Sequence, residues 1–312
     1  MRVSIAIIGL ALLASPLFAQ AQQRAPFTIE QTGQSFSRLD DAVRAAGNSD
    51  ATIVIAPGIY RQCAAIDAGN ITLRAAEPGK AIFDSVTCEG KAALVLRGRA
   101  ATIDGVVFQN MRVADDNGAG IRLEQGDLTV LNSMFRNSQQ GILTAGDPGS
   151  AISIDRSTFS GLGYCPEGGS CAHSIYIGDY GSLKVTRSRF ERGTGGHYVK
   201  SRAALVEVSD SSFDDSQGRA TNYMIDLPAG ATGSITRNIF VQGRDKENYS
   251  AFVAVAAEAR DHPSAGLVIA DNRASLVPGV ERSTTFVADW SHEPLRLANN
   301  QLGAGLKSFE TR

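Results

Sequence analysis

From Ala101 onward the chain alternates apolar and polar positions over short runs, and most runs close on Asn, Asp or Ser just ahead of a phenylalanine. The segments are ATIDGVVFQN, LTVLNSMFRN, ISIDRSTFSG, LKVTRSRFER, VEVSDSSFDD and SITRNIFVQG, with weaker copies in LVIADNRASL and LRLANNQLGA. Alternation with a period of two is the signature of a strand. The aromatics fall at Phe108, Phe135, Phe159, Phe190, Phe213 and Phe240, at intervals of 27, 24, 31, 23 and 27. A second short strand lies between successive copies: GIRLEQG, GILTAG, SIYIGDYG, YVKSRA, MIDLPAG, FVAVAAE and FVADWS. Each period thus holds two or three strands joined by Gly, Asn and Asp turns, with no room for a helix. Doubly wound folds, which need a crossover helix, are excluded. A propeller needs longer, four-stranded blades, and a sandwich does not require this register. The pattern predicts an all-β, right-handed parallel β-helix of one coil per period, its phenylalanines stacked inside.

Ahead of the repeats, SFSRLDDAVRAAGN predicts one amphipathic helix with Leu39, Ala42, Val43 and Ala46 on its apolar face, Ser37 as N-cap and Gly47 as its end. Such a helix covers the open end of the first coil, which TIVIAPGIY then enters. Further upstream, Met1–Gln23 reads as an export signal, with a basic start at Arg2, an apolar core at Ile5–Leu13 and a small-residue cleavage pattern at Ala19–Ala21. The expected organisation is a signal peptide over 1–21 and one β-helix domain over 22–312. The apolar run is too short to span a membrane, which places the mature chain in a bacterial periplasm or outside the cell. Four cysteines suit that setting. Cys165–Cys171 would close a short loop, and Cys63–Cys88, one period apart, would join stacked neighbours; two other pairings are formally open, and zinc lacks a Cys-x-x-Cys.

Net charge is −2. With no basic stripe, nucleic acid is not an expected partner, whereas an acidic polymer can still bind where cations gather locally.

The period gives meaning to a repeated motif. His173-x-x-Tyr176 is followed one coil later by His197-x-x-Lys200. Aligning the second strands on Ile121, Ile142, Ile175, Val199 and Ile225 yields an outward column of Arg122, Leu143, Tyr176, Lys200 and Asp226. A neighbouring column, at a turn, reads Ala119, Gln140, His173, His197 and Tyr223. Arg202 stands outward beyond Lys200. His173, Tyr176, His197, Lys200 and Asp226 therefore gather on adjacent coils as candidate catalytic groups, with Arg122, Arg202, Tyr223 and Asp179 as candidate substrate contacts. The alternative is a plain solvated face with a minor Lys200–Asp226 ion pair. Two features favour a site: flanking coils put Leu143, Ala119 and Gln140 in the same columns, and long loops, GLGYCPEGGSCAH and RGTGGH, end at the two histidines.

The helix, TIVIAPGIY and the Asn/Phe-ended strands resemble the secreted right-handed β-helix proteins of the pectate-lyase-like superfamily across nearly all of the mature chain. His173–Tyr176, Gly196–Ala203 and Tyr223–Pro228 are similar to motifs on successive coils of an exported bacterial subgroup. The resemblance implies the fold, and carbohydrate chemistry on an acidic polysaccharide or oligosaccharide; separately, a monomer is expected. β-Elimination of a uronate needs a cation for the carboxylate, a base for the C5 proton and an acid for the leaving oxygen. Arg202 or Arg122 suits the first, His197 or Lys200 the second and Tyr176 the third. A glycoside hydrolase would need two flanking carboxyls, for which Asp226 and Asp179 are the candidates. A C5-epimerase on the same groups and a non-catalytic binding solenoid are the remaining alternatives. No cofactor is expected. Calcium would fall to Asp115 and Asp116 beside Asn117, residues that equally suit a plain turn; the aspartate cage of calcium-dependent pectate lyases has no clear match.

Overall fold

A computed structural model describes residue 3, residues 25–166 and residues 169–312. The export-signal reading therefore falls, Val3 apart, outside the described residues.

The alternating runs wind into three strands per coil, which stack into three long sheets of twelve, ten and ten strands. Almost all pairings are parallel and join strands one coil apart. The phenylalanines stack as the period predicts: Phe108, Phe135, Phe159, Phe190, Phe213 and Phe240 lie in register. Their rings are fully buried and nearly parallel, at 4.9 Å and 1° between Phe135 and Phe159. The ladder also runs further toward the N-terminus than the repeats indicate, through Phe83 and Tyr60 to Phe27.

The polar residue of each repeat has its own structural use. Backbone N–H groups of Ser133, Ser157 and Ser188 donate to the hydroxyls of Ser157, Ser188 and Ser211 on the next coil, and that of Ser211 to Asn238 Oδ1. Asn238 and Asn272 continue the ladder to Asn300. Each turn's buried donor is thereby satisfied from the coil beyond.

The helix spans Leu39–Ala46, with all four expected apolar residues buried and Gly47 ending it at φ 58°. Its N-cap differs from the expectation. Arg38, not Ser37, occupies that position, without a side-chain cap; Gln62 accepts from the Leu39 N–H instead, at 3.0 Å. A residue from the first coil thus does the capping and ties the helix to the end it covers. Cys63–Cys88 and Cys165–Cys171 are both disulfides. No described helix is long and apolar enough to cross a membrane.

Candidate active site

Ten strands from Ala64–Ile66 to Leu306–Thr311 form the sheet that carries the histidine motifs. In-register pairing along it sets Arg122 beside Leu143, Leu143 beside Tyr176, Tyr176 beside Lys200 and Lys200 beside Asp226. The outward column expected from alternation is therefore present. The imidazoles join it because the strand has not yet begun at residues 173 and 197. Strict alternation would turn them inward, but the His173 ring meets outward Tyr176 and the His197 ring meets outward Asp226. His173 stacks on His197 at 4.9 Å and meets Tyr176 edge-on at 5.5 Å. Gly196 makes this approach feasible. Its φ is 59°, and a Cβ there would lie 2.5 Å from His173 Nδ1, so a side chain would push the ring away.

The polar contacts converge on Lys200. Its Nζ lies 3.4 Å from Asp226 Oδ2 and donates to Glu258 Oε1 at 2.5 Å. Arg202 donates through Nε to the Tyr176 hydroxyl at 3.1 Å and through Nη2 to Glu258. Arg122 approaches Glu124 at 3.7 Å.

These groups are less solvated than an outward column suggests. Lys200 is 8% exposed and Asp226 2%. Burial raises the Asp226 carboxyl to about 6, against the pull of Lys200. Burial, helped by Lys200, lowers His173 to about 3. Burial, His173 and Lys200 hold His197 well below its ordinary value. Glu258 goes the other way: burial pushes it up, but hydrogen bonds from Lys200 and Arg202 outweigh that and lower it. At neutral pH both histidines are neutral. The His197 backbone N–H donates to His173 Nδ1 at 3.0 Å, so the proton of neutral His173 sits on Nε2. His173 is then a hydrogen-bond donor.

A cleft of about 690 Å³ opens over part of this cluster, a volume suited to a few sugar units. Arg122, His173, Tyr176, Lys200, Arg202 and Glu258 line it, with the disulfide loop as one wall. Several predicted residues do not reach it. His197 and Asp226 lie beneath, 3.4 Å apart and outside the lining. Tyr223, expected to touch substrate, stacks behind His197 at 5.5 Å. Asp179, also expected there, faces His262 at 3.1 Å and is not part of the lining. Its strand has ended by that point, so the outward column does not carry it.

The proposed calcium ligands are used in the turn. Asp115 Oδ1 accepts from the Asn117 N–H and Asp116 Oδ1 from Gln139. Among the described residues, no cluster of three or more His, Cys, Asp or Glu side chains is arranged to hold a metal.

Glu258 is the residue that sequence reasoning missed. It follows the strand Ala251–Val255, whose position beside Asp226 is Ala254. The column looks empty on that coil, and the carboxylate returns from the loop beyond. Its only trace in the sequence is the final Glu of FVAVAAE.

Solved structures share this architecture. An alginate lyase from Paenibacillus sp. str. FPU-7 superposes with a TM-score of 0.64 at 16% identity, over 87% of this chain and 94% of its own. The pectate lyase Pel9A superposes at 0.52 and 15% identity, over 89% and 74%. No curated protein matches the sequence. The profile of the right-handed β-helix region matches residues 91–275, more than half of the chain, and together with the stacked parallel coils it places this protein in the right-handed β-helix family, of the pectate-lyase-like kind.

Proposed function

We propose that the cleft binds a uronic-acid-containing polysaccharide and cleaves it by β-elimination, in an exported bacterial protein whose residues 22–312 act as one unit. The observation that carries this reading is the Tyr176–Lys200 pair at the cleft surface with Arg202 bonded to the tyrosine oxygen. Because that oxygen accepts from Arg202, the phenol proton is free to point at a leaving group. Arg202 and Arg122 supply the cations that a uronate carboxylate requires. An alginate lyase and a pectate lyase on the same fold are consistent with the substrate class, as an analogy of fold.

The base narrows to Lys200. His197 is not part of the cleft lining, and His173 presents an N–H. Lys200 acts in its unprotonated form, with Asp226 Oδ2 3.4 Å from its Nζ to orient it, and that amine takes the C5 proton. The C–H electrons form the C4–C5 double bond, the C4–O4 bond breaks, and Tyr176 protonates the departing oxygen. Glu258 holds the cation pair in the free protein, where the substrate carboxylate would sit.

One observation favours a glycoside hydrolase: Asp226 and Glu258 are pushed in opposite directions, as an acid and a carboxylate would be. Asp226, however, is outside the cleft lining and has no path to a glycosidic oxygen.

A panel of acidic polysaccharides assayed for the ultraviolet absorbance of an unsaturated uronate tests the proposal. Absorbance that grows with the wild type and is lost in Tyr176→Phe supports it. New reducing ends without absorbance indicate a hydrolase, altered uronates at constant chain length an epimerase, and binding without turnover a lectin-like role. Any of these three outcomes sinks the lyase reading.

A further inference from the structure

Each coil passes through a turn before it enters the cleft-bearing sheet, and those turns enclose a second hollow, of about 430 Å³. Arg112, Arg192 and Arg219 line it, from three different coils, together with Tyr164, Asn137 and Gln217. No carboxylate belongs to the described lining. The three guanidiniums are exposed and form no ion pair with a described residue. On the strand leading into one of these turns, Arg189 is paired with Glu191, so that acid is already engaged. Three cations facing one hollow without a counter-charge repel each other and raise the local affinity for an anion. Planar guanidiniums suit carboxylate or sulfate oxygens, which they bind in pairs. Tyr164, 39% exposed, adds an aromatic face of the type that stacks on a sugar ring.

The hollow is separate from the cleft. Gly163 and Tyr164 border one, while Pro166, Gly169, Ser170 and Cys171 border the other. The disulfide-closed loop is the partition between them. We infer that this groove is a second glycan-binding site, which holds an anionic polysaccharide strand beside the cleft without taking part in chemistry. The choice of glycan rests on the polysaccharide reading above; the anion preference rests on the arginines alone.

The test uses the whole protein with Arg192→Ala/Arg219→Ala, two exposed positions outside the cleft lining. Polygalacturonate and alginate, as long polymers and as short oligomers, are the probes, with polyglutamate as a charge-only control. Binding is read by calorimetry and turnover by ultraviolet absorbance, and circular dichroism confirms the fold of the variant. Affinity for the long uronate polymers is expected to fall about tenfold, since two charge-assisted contacts are lost. Turnover of short oligomers should not change. Arg192→Lys/Arg219→Lys should recover only part of the loss, because lysine keeps charge but not the fork. Unchanged polymer affinity overturns the inference, as does an equal loss toward polyglutamate, which would mean charge without glycan recognition. Binding that depends on the arginines in the absence of any turnover keeps the groove and removes the lyase reading. Turnover together with polymer affinity that is indifferent to the arginines does the reverse.

Discussion

Buried imidazoles make this protein sensitive to acid. His173 moves from an ordinary value of 6.5 to about 3, and His197 is lowered in the same sense. A depressed histidine contributes stability that is fully present above 6.5 and is lost as pH falls toward the folded value. Asp226 has the opposite sign. Its carboxyl is raised from 3.8 to about 6, so its contribution is present at low pH and is lost as pH rises through 6. Between about 4 and 6 the two effects oppose one another, and two histidines outweigh one aspartate. The melting temperature should therefore fall on acidification from neutrality. His173→Asn retains an acceptor for the His197 N–H and should remove a slope worth on the order of a few kcal/mol. Melting curves across pH check it, and an equally steep variant would refute the assignment. Glu258 yields a second expectation at this scale. If its carboxylate stands where the substrate's sits, Glu258→Ala should tighten binding of an oligouronate by about three- to tenfold, by removing an internal competitor for Arg202 and Lys200. Calorimetry decides; weaker binding would mean that Glu258 only braces the two cations. Neither the burial of Asp226 nor the presence of Glu258 was legible in the sequence. Alternation assigns a side chain to a face, but it does not say whether a later loop folds back over that face.

At the level of elements, much more could be read in advance. Strand phase follows from alternation and coil length from the phenylalanine interval, so the row from Arg122 to Asp226 was available before any coordinates. The errors sit where strands stop. Asp179 lies beyond the end of Ile175–Ile177, and the helix cap came from Gln62, a residue distant in sequence. The loop RGTGGH read only as glycine-rich, yet its last glycine has a definite duty. Gly196→Ala would place a methyl 2.2 Å from the Ala172 carbonyl and 2.5 Å from His173 Nδ1, at a φ of 59°. That should destabilise the protein by about 1–3 kcal/mol and move His173 out of its stack. The measurement is denaturant unfolding together with the histidine ring resonances. A variant with wild-type stability and unshifted rings would show that the turn relaxes freely.

A solenoid differs from a globular core in how far a perturbation travels. In the core each coil packs on the coils above and below, so energetic coupling there should decay along the stack. The phenylalanine ladder is a suitable ruler. Phe159 and Phe190 face each other at 4.8 Å and 6°, whereas Phe83 and Phe240 are separated by the intervening rings Phe108, Phe135, Phe159, Phe190 and Phe213. Phe→Leu keeps most of the buried volume while it removes the stacking. The adjacent pair Phe159→Leu/Phe190→Leu should show a coupling of about 0.5–1.5 kcal/mol, the value of an aromatic contact beyond its area. The distant pair Phe83→Leu/Phe240→Leu should be additive within about 0.5 kcal/mol. Equilibrium unfolding of the four single and two double variants measures both. Strong coupling between Phe83 and Phe240 would mean that the stack responds as one packed unit, and the nearest-neighbour description, with the local column of catalytic candidates that depends on it, would have to be replaced.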